Sequence, residues 1–132
     1  MQEDSHHRSL RILVVDDNFD TAATLSALLE FSGHRTALAH NGLDAVSAAT
    51  RMRYDAVVLD LGMPIMDGFQ AAAALRQLNP PPILIACSAW DDTETRKRTA
   101  ALGFAAHLRK PFPLAALENA LMHAGAVPHD PA

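Results

Sequence analysis

The chain has 132 residues, 49% of them apolar, and a formal net charge of -4 at pH 7, which suits one domain with its own core and excludes a polybasic nucleic-acid binder. Its single cysteine, Cys87, excludes an internal disulfide and a multi-cysteine zinc site. No apolar stretch reaches membrane-spanning length, and the opening MQEDSHHRSL lacks a signal peptide's apolar centre, so a cytoplasmic protein without a membrane partner is expected.

Residues 1–8 are expected to form a flexible arm. RILVV (11–15) then has the length and composition of a buried strand, and it runs into two adjacent carboxylates, Asp16 and Asp17. Ala22, Leu25 and Leu29, spaced i, i+3 and i+7, mark a helix that Gly33 caps. RTALA (35–39) is a second strand of mixed polarity. A helix-length segment separates it from DAVVLD (55–60), apolar up to its last residue, Asp60. Asp67 or Gly68 opens a third helix with Ala71, Leu75 and Leu78 on one face. Prolines 80 to 82 stiffen the turn into PILIAC (82–87), which delivers Ser88 at its end. DDTETRKRTAAL sets acids before bases, as the helix macrodipole prefers, but its apolar face is weak, so it should dock least firmly. After Gly103 come AAHLR (105–109), Lys110-Pro111 and a last helix through Leu114, Leu117 and Leu121; residues 125–132 should form a flexible tail.

Strand then helix, five times over, specifies an α/β fold with a doubly wound parallel sheet. A parallel strand covered on both faces is apolar throughout, as ILVV, AVVL and ILIA are. Arg35, Thr36, His107 and Arg109 put the second and fifth strands at the edges. Right-handed crossovers then favour the five-stranded order 2-1-3-4-5, the flavodoxin-like arrangement, over residues 9–124.

Sheets of this kind bind ligands beyond the carboxyl ends of their strands. There the sequence sets Asp16 and Asp17, Asp60, Ser88 and Lys110. Neighbouring strands lie roughly 4.8 Å apart, so the three acids and Ser88 can surround one small ion, and a lysine stem can bridge most of the about 10 Å from the fifth strand to Asp60. Two adjacent carboxylates at the mouth of a core repel each other and lose hydration. A hard divalent cation such as Mg²⁺ relieves both penalties, because it takes oxygen ligands from one or two carboxylates.

VVDDN, VVLDLGMPIMDG, the strand end at Ser88, and Lys110-Pro111, in that order and at these separations, resemble the receiver domains of two-component response regulators. The resemblance implies that Asp60 accepts a phosphoryl group from a histidine kinase or a histidine phosphotransfer protein. It further implies that Asp17, Asp60 and the backbone carbonyl of Gly62 ligate Mg²⁺, with Asp16 acting through a water. Lys110 would pair with the Asp60 carboxylate and later with a phosphoryl oxygen, across a cis bond to Pro111. Ser88 would turn toward the phosphoryl group, and His107 stands where the family's aromatic switch residue does. Their movement would remodel the face of the fourth helix, fifth strand and fifth helix for a downstream protein target or a homodimer. Gly62 and Trp90 would influence attack of water on the aspartyl phosphate, and Met63-Pro64 with Met66-Asp67-Gly68 would shape the loop after Asp60. Such a domain catalyses only its own phosphotransfer and dephosphorylation.

A flavodoxin-type cofactor binder shares the sheet, but Asp16 and Asp17 would repel the phosphate its first loop must cradle. Neither GxxxxGK[ST] nor GxGxxG occurs. A haloacid-dehalogenase-like phosphatase expects a second aspartate where Gly62 stands. His6 and His7 supply too few ligands for a metal. The alternative from another class is a pseudo-receiver, a phosphorylation-independent protein-binding scaffold on the same fold. HAGAVPHDPA after the last helix is too short for a DNA-binding or enzymatic module, so either output is expected to pass through protein contacts or the chain is a receiver from a larger hybrid kinase.

Overall fold

The computed structural model describes residues 9–63, 67–89 and 92–125. The expected arm and tail, with His6 and His7, and also Pro64, Met66 and Trp90, lie outside the described residues, apart from Gly125. Five strands, β1 (Arg11–Val15), β2 (Arg35–Ala39), β3 (Ala56–Asp60), β4 (Ile83–Ser88) and β5 (Ala106–Arg109), alternate with five helices. The helices are α1 (Phe19–Phe31), α2 (Gly42–Arg51), α3 (Gly68–Leu75), α4 (Thr93–Ala101) and α5 (Leu114–His123). All strand pairs are parallel, in the order β2-β1-β3-β4-β5.

Burial follows the polarity of the strands. Every residue of β3 is buried, as is all of β1 and β4 beyond their first residues. β2 and β5 keep exposed positions, as edge strands do. The period-2 alternation divides the core in two. Leu13, Val57, Leu59 and Leu84 pack under Ala45, Ala71 and Leu75, whereas Ile12, Val14, Val58 and Ile85 pack under Ala22, Leu29, Leu117 and Leu121. Each fully buried Leu, Ile or Val side chain stabilises the fold by about 1.5–3 kcal/mol.

Several element ends depart from expectation by a residue or more. β3 begins at Ala56, one residue after Asp55, although the Asp55 backbone still bonds both neighbouring strands: its N–H donates to Arg11 O at 2.8 Å and its carbonyl accepts from Ile83 N at 3.0 Å, while its carboxylate accepts from the Arg11 N–H at 2.7 Å. β4 begins at Ile83 because Pro82 has no N–H to enter the ladder. α3 stops at Leu75, and Leu78 reaches the core from a turn beyond the helix instead of from its face. Gly33 and Gly103 end α1 and α4 at φ 103° and 86°, a conformation that a Cβ disfavours. In α4 only Thr99 is buried, in keeping with its weak apolar face.

Candidate functional site

The ladder between β1 and β2 continues one residue past the strand, since Asp16 N donates to Ala39 O at 3.1 Å, and this carries the Asp16 side chain to the sheet's carboxyl edge. Asp16 is only 5% exposed. Its Oδ1 accepts from Asn18 N at 2.9 Å, and Asn18 in turn caps α1 through a bond from Thr21 N at 2.9 Å. Asp17, between them, is exposed. His40 was not singled out from the sequence. Its Nδ1 lies 3.2 Å from the Asp16 carbonyl, and its ring stacks on Phe19 at 3.8 Å between centroids. Its only sequence signal is that it follows β2, the neighbour of the strand that delivers Asp16.

Asp60 closes β3 and is nine-tenths buried. Its Oδ1 accepts from Gly62 N at 3.2 Å. Gly68 lets α3 start directly against this strand end. A Cβ there would meet Asp60 O at 2.6 Å and the Leu61 Cα at 2.7 Å, distances that no side chain tolerates. Asp67 fastens the same helix start in a reciprocal capping box with Gln70. Burial pushes the Asp60 carboxyl above its ordinary range, as does the charge of Asp16, against the Gly62 amide and the Lys110 ammonium, which lower it.

Lys110 follows β5, and its backbone N–H donates to Ser88 O at 2.8 Å. The Lys110-Pro111 bond is cis, as the resemblance implied. The ammonium reaches back across the sheet. It lies 2.8 Å from Asp16 Oδ2 and 3.4 Å from Asp60 Oδ2, so the closer carboxylate is Asp16 and not the expected Asp60. The reason is that the Asn18 amide holds one Asp16 oxygen and leaves the other turned inward. Burial would lower the Lys110 pKa, yet the bond to Asp16 and the charge of Asp60 outweigh it and raise the value.

Ser88, at the end of β4, is 1% exposed. Its Oγ lies 3.1 Å from His107 Nε2, and the other ring nitrogen of His107 lies 3.4 Å from Thr99 Oγ1 of α4. Ser88 and His107 therefore touch, as their proposed joint role requires; Thr99 went unnoticed because its hydroxyl sits amid a polar, weakly patterned segment. Cys87 packs among the residues facing α5, and burial drives its thiol up to about 12.

Among the described residues, Asp16, Asp17 and Asp60 each offer a carboxylate oxygen within 4.8 Å of the others. These are hard oxygen donors in excess over the one lysine, a set that fits Mg²⁺ and not a soft metal. Asp16, Asp60 and Lys110 line a cleft of about 590 Å³ whose walls include Thr21 and Leu25 of α1 and Phe112.

The family model of the response regulator receiver domain matches residues 12–122. The transcriptional regulatory protein PrrA of Mycobacterium tuberculosis is 39% identical over 109 residues, which cover 83% of this chain and 47% of that protein. Hybrid signal transduction histidine kinase B of Dictyostelium discoideum is 33% identical over 115 residues, 77% of this chain and 6% of its own length. The chain thus spans about half, or far less, of these curated relatives. Among solved structures, the Vibrio cholerae chemotaxis protein CheY4 superposes with a TM-score of 0.83 at 25% identity, covering 88% of this chain and 98% of that one. The receiver domain of the Pseudomonas aeruginosa sensor histidine kinase PA1611, solved with a magnesium ion coordinated in its active-site cleft, gives 0.78 at 31% identity, covering 89% and 98%. With the sheet order, the carboxylate cluster and the family match in agreement, the chain belongs to the response regulator receiver domain family.

Proposed function

We propose that the chain is a phosphoacceptor whose Asp60 takes a phosphoryl group from the phosphohistidine of a histidine kinase or a histidine phosphotransfer protein. The observation that carries this reading is the convergence of three carboxylates within 4.8 Å, with the Lys110 ammonium in contact with two of them. One Asp60 oxygen forms the new bond to phosphorus as the bond from phosphorus to the imidazole nitrogen breaks. A carboxylate is a modest nucleophile, so the protein's contribution is positioning and charge complementarity.

Each residue has a separate task. The Gly62 amide orients the Asp60 carboxylate from its Oδ1 side. Lys110 exchanges its contact with Asp60 for one with a transferred oxygen while Asp16 keeps it in place. Asp17, Asp60 and the Gly62 carbonyl would hold Mg²⁺ directly and Asp16 through a water; when bound, the ion would neutralise the acids and the charge on the transferring oxygens. Ser88 then hydrogen-bonds the phosphoryl group, and His107 follows. That motion alters the face of α4, β5 and α5 for a protein target or a second copy of the chain, in a cytoplasmic setting and without direct nucleic-acid contact.

Intact-mass measurement after incubation with Mg²⁺ and acetyl phosphate tests the reading. A phosphoryl adduct that is missing in Asp60→Asn supports it. No adduct with any phosphodonor favours the phosphorylation-independent scaffold.

A further inference from the structure

Thr99 is the one residue of α4 that is buried, and its position lets the protons behind Ser88 be assigned. The Thr99 hydroxyl donates to Arg96 O at 3.0 Å, and a hydroxyl has a single proton to give. Toward His107 Nδ1, 3.4 Å away, Thr99 Oγ1 can therefore only accept, which puts the imidazole proton on Nδ1. A neutral imidazole has one N–H, so Nε2 is the acceptor. The proton in the 3.1 Å bond between Nε2 and Ser88 Oγ must then come from Ser88. Donation runs from Ser88 to His107, from His107 to Thr99, and from Thr99 to the Arg96 carbonyl. The Arg96 guanidinium, 3.5 Å from His107 O, ties the same helix to the same residue of β5.

We propose that Thr99 is a positioning residue of the phosphoacceptor site: it selects the Nδ1–H tautomer of His107 and so commits the Ser88 proton to His107 in the unmodified chain. Before Ser88 can donate to a phosphoryl oxygen it must withdraw that proton from Nε2. The withdrawal breaks the Ser88–His107 bond and disturbs the imidazole on which α4 docks its buried hydroxyl. A hydrogen-bonded line thus couples the phosphoryl site to α4. This consequence for signalling rests on the function proposed above, whereas the tautomer does not.

The test is imidazole ¹⁵N NMR on the full, unphosphorylated chain at a pH where the ring is neutral. Wild type is expected to hold Nδ1–H in about tenfold excess, the bias that one or two hydrogen bonds impose. Thr99→Val keeps the side chain's shape but removes the acceptor, so the Nε2–H form should become the major one, and Thr99→Ser should restore Nδ1–H. The Nε2–H tautomer in wild type, or an unchanged tautomer in folded Thr99→Val, overturns the proposal. With acetyl phosphate, Thr99→Val should also change the phosphorylation rate at Asp60 several-fold. A wild-type chain that gains no mass would count against the phosphoacceptor reading alone, because the tautomer is measured on the unmodified protein.

Discussion

Lys110 and Asp16, 94 residues apart in the chain, share a hydrogen bond of 2.8 Å across two intervening strands. The contact closes the site electrostatically, because the same ammonium also lies 3.4 Å from Asp60. Removing the charge in Lys110→Met leaves two neighbouring buried acids opposed. We expect a loss of about 1–2 kcal/mol at neutral pH in urea unfolding, the buried-pair cost discounted for the partly exposed lysine. The raised Lys110 pKa fixes the pH dependence. Its stabilisation is complete below the ordinary value and disappears as pH rises through the raised one, so wild type and variant should converge under alkaline conditions.

Asp60 gives the opposite result at neutral pH. Its folded-state pKa is raised, chiefly by burial, so its contribution is most favourable below the ordinary carboxylate range and is lost as pH climbs through the raised value. Asp60→Asn escapes that loss. Its melting temperature should exceed that of wild type by about 3 °C at pH 7, and the gap should close toward pH 3, as read by circular dichroism.

Mg²⁺ should reverse that ranking. A ligand that binds only the folded chain adds about 2.7 kcal/mol at a hundredfold excess over its Kd. Thermal unfolding with and without the ion should show a rise for wild type and little or none for Asp17→Asn or Asp60→Asn. Equal rises in all three would remove these carboxylates from the ion's ligand set.

Gly68 holds a position that admits no side chain, since a Cβ would lie 2.6 Å from Asp60 O. Both atoms under it are backbone, so relief requires moving α3 or the end of β3. Gly68→Ala should cost about 1–3 kcal/mol in denaturant unfolding, the usual range for overpacking, and should slow phosphorylation at Asp60 by displacing it.

Cys87 pairs in register with Asp60 but points into the core on the α5 side. With its thiol pushed up to about 12 and only 3% exposed, it should react with maleimide at pH 7.5 at least about a hundredfold more slowly than the unfolded chain does. Fast labelling of the native chain would mean that β4 opens readily.

The five strands, their helices, the sheet order and the acids at the strand ends were all legible in the sequence, because period and polarity act over a few residues and a parallel sheet turns them into topology. The boundaries at Asp55, Pro82 and Leu75 depended on local backbone geometry and were not. Nor could spacing tell which acid Lys110 meets more closely, that His40 and Phe19 stack beside Asp16, or that Thr99 stands behind His107. These contacts depend on how far each side chain reaches over a twisted sheet and on which proton each polar atom has left to give. Such quantities exist only once distant strands are in register.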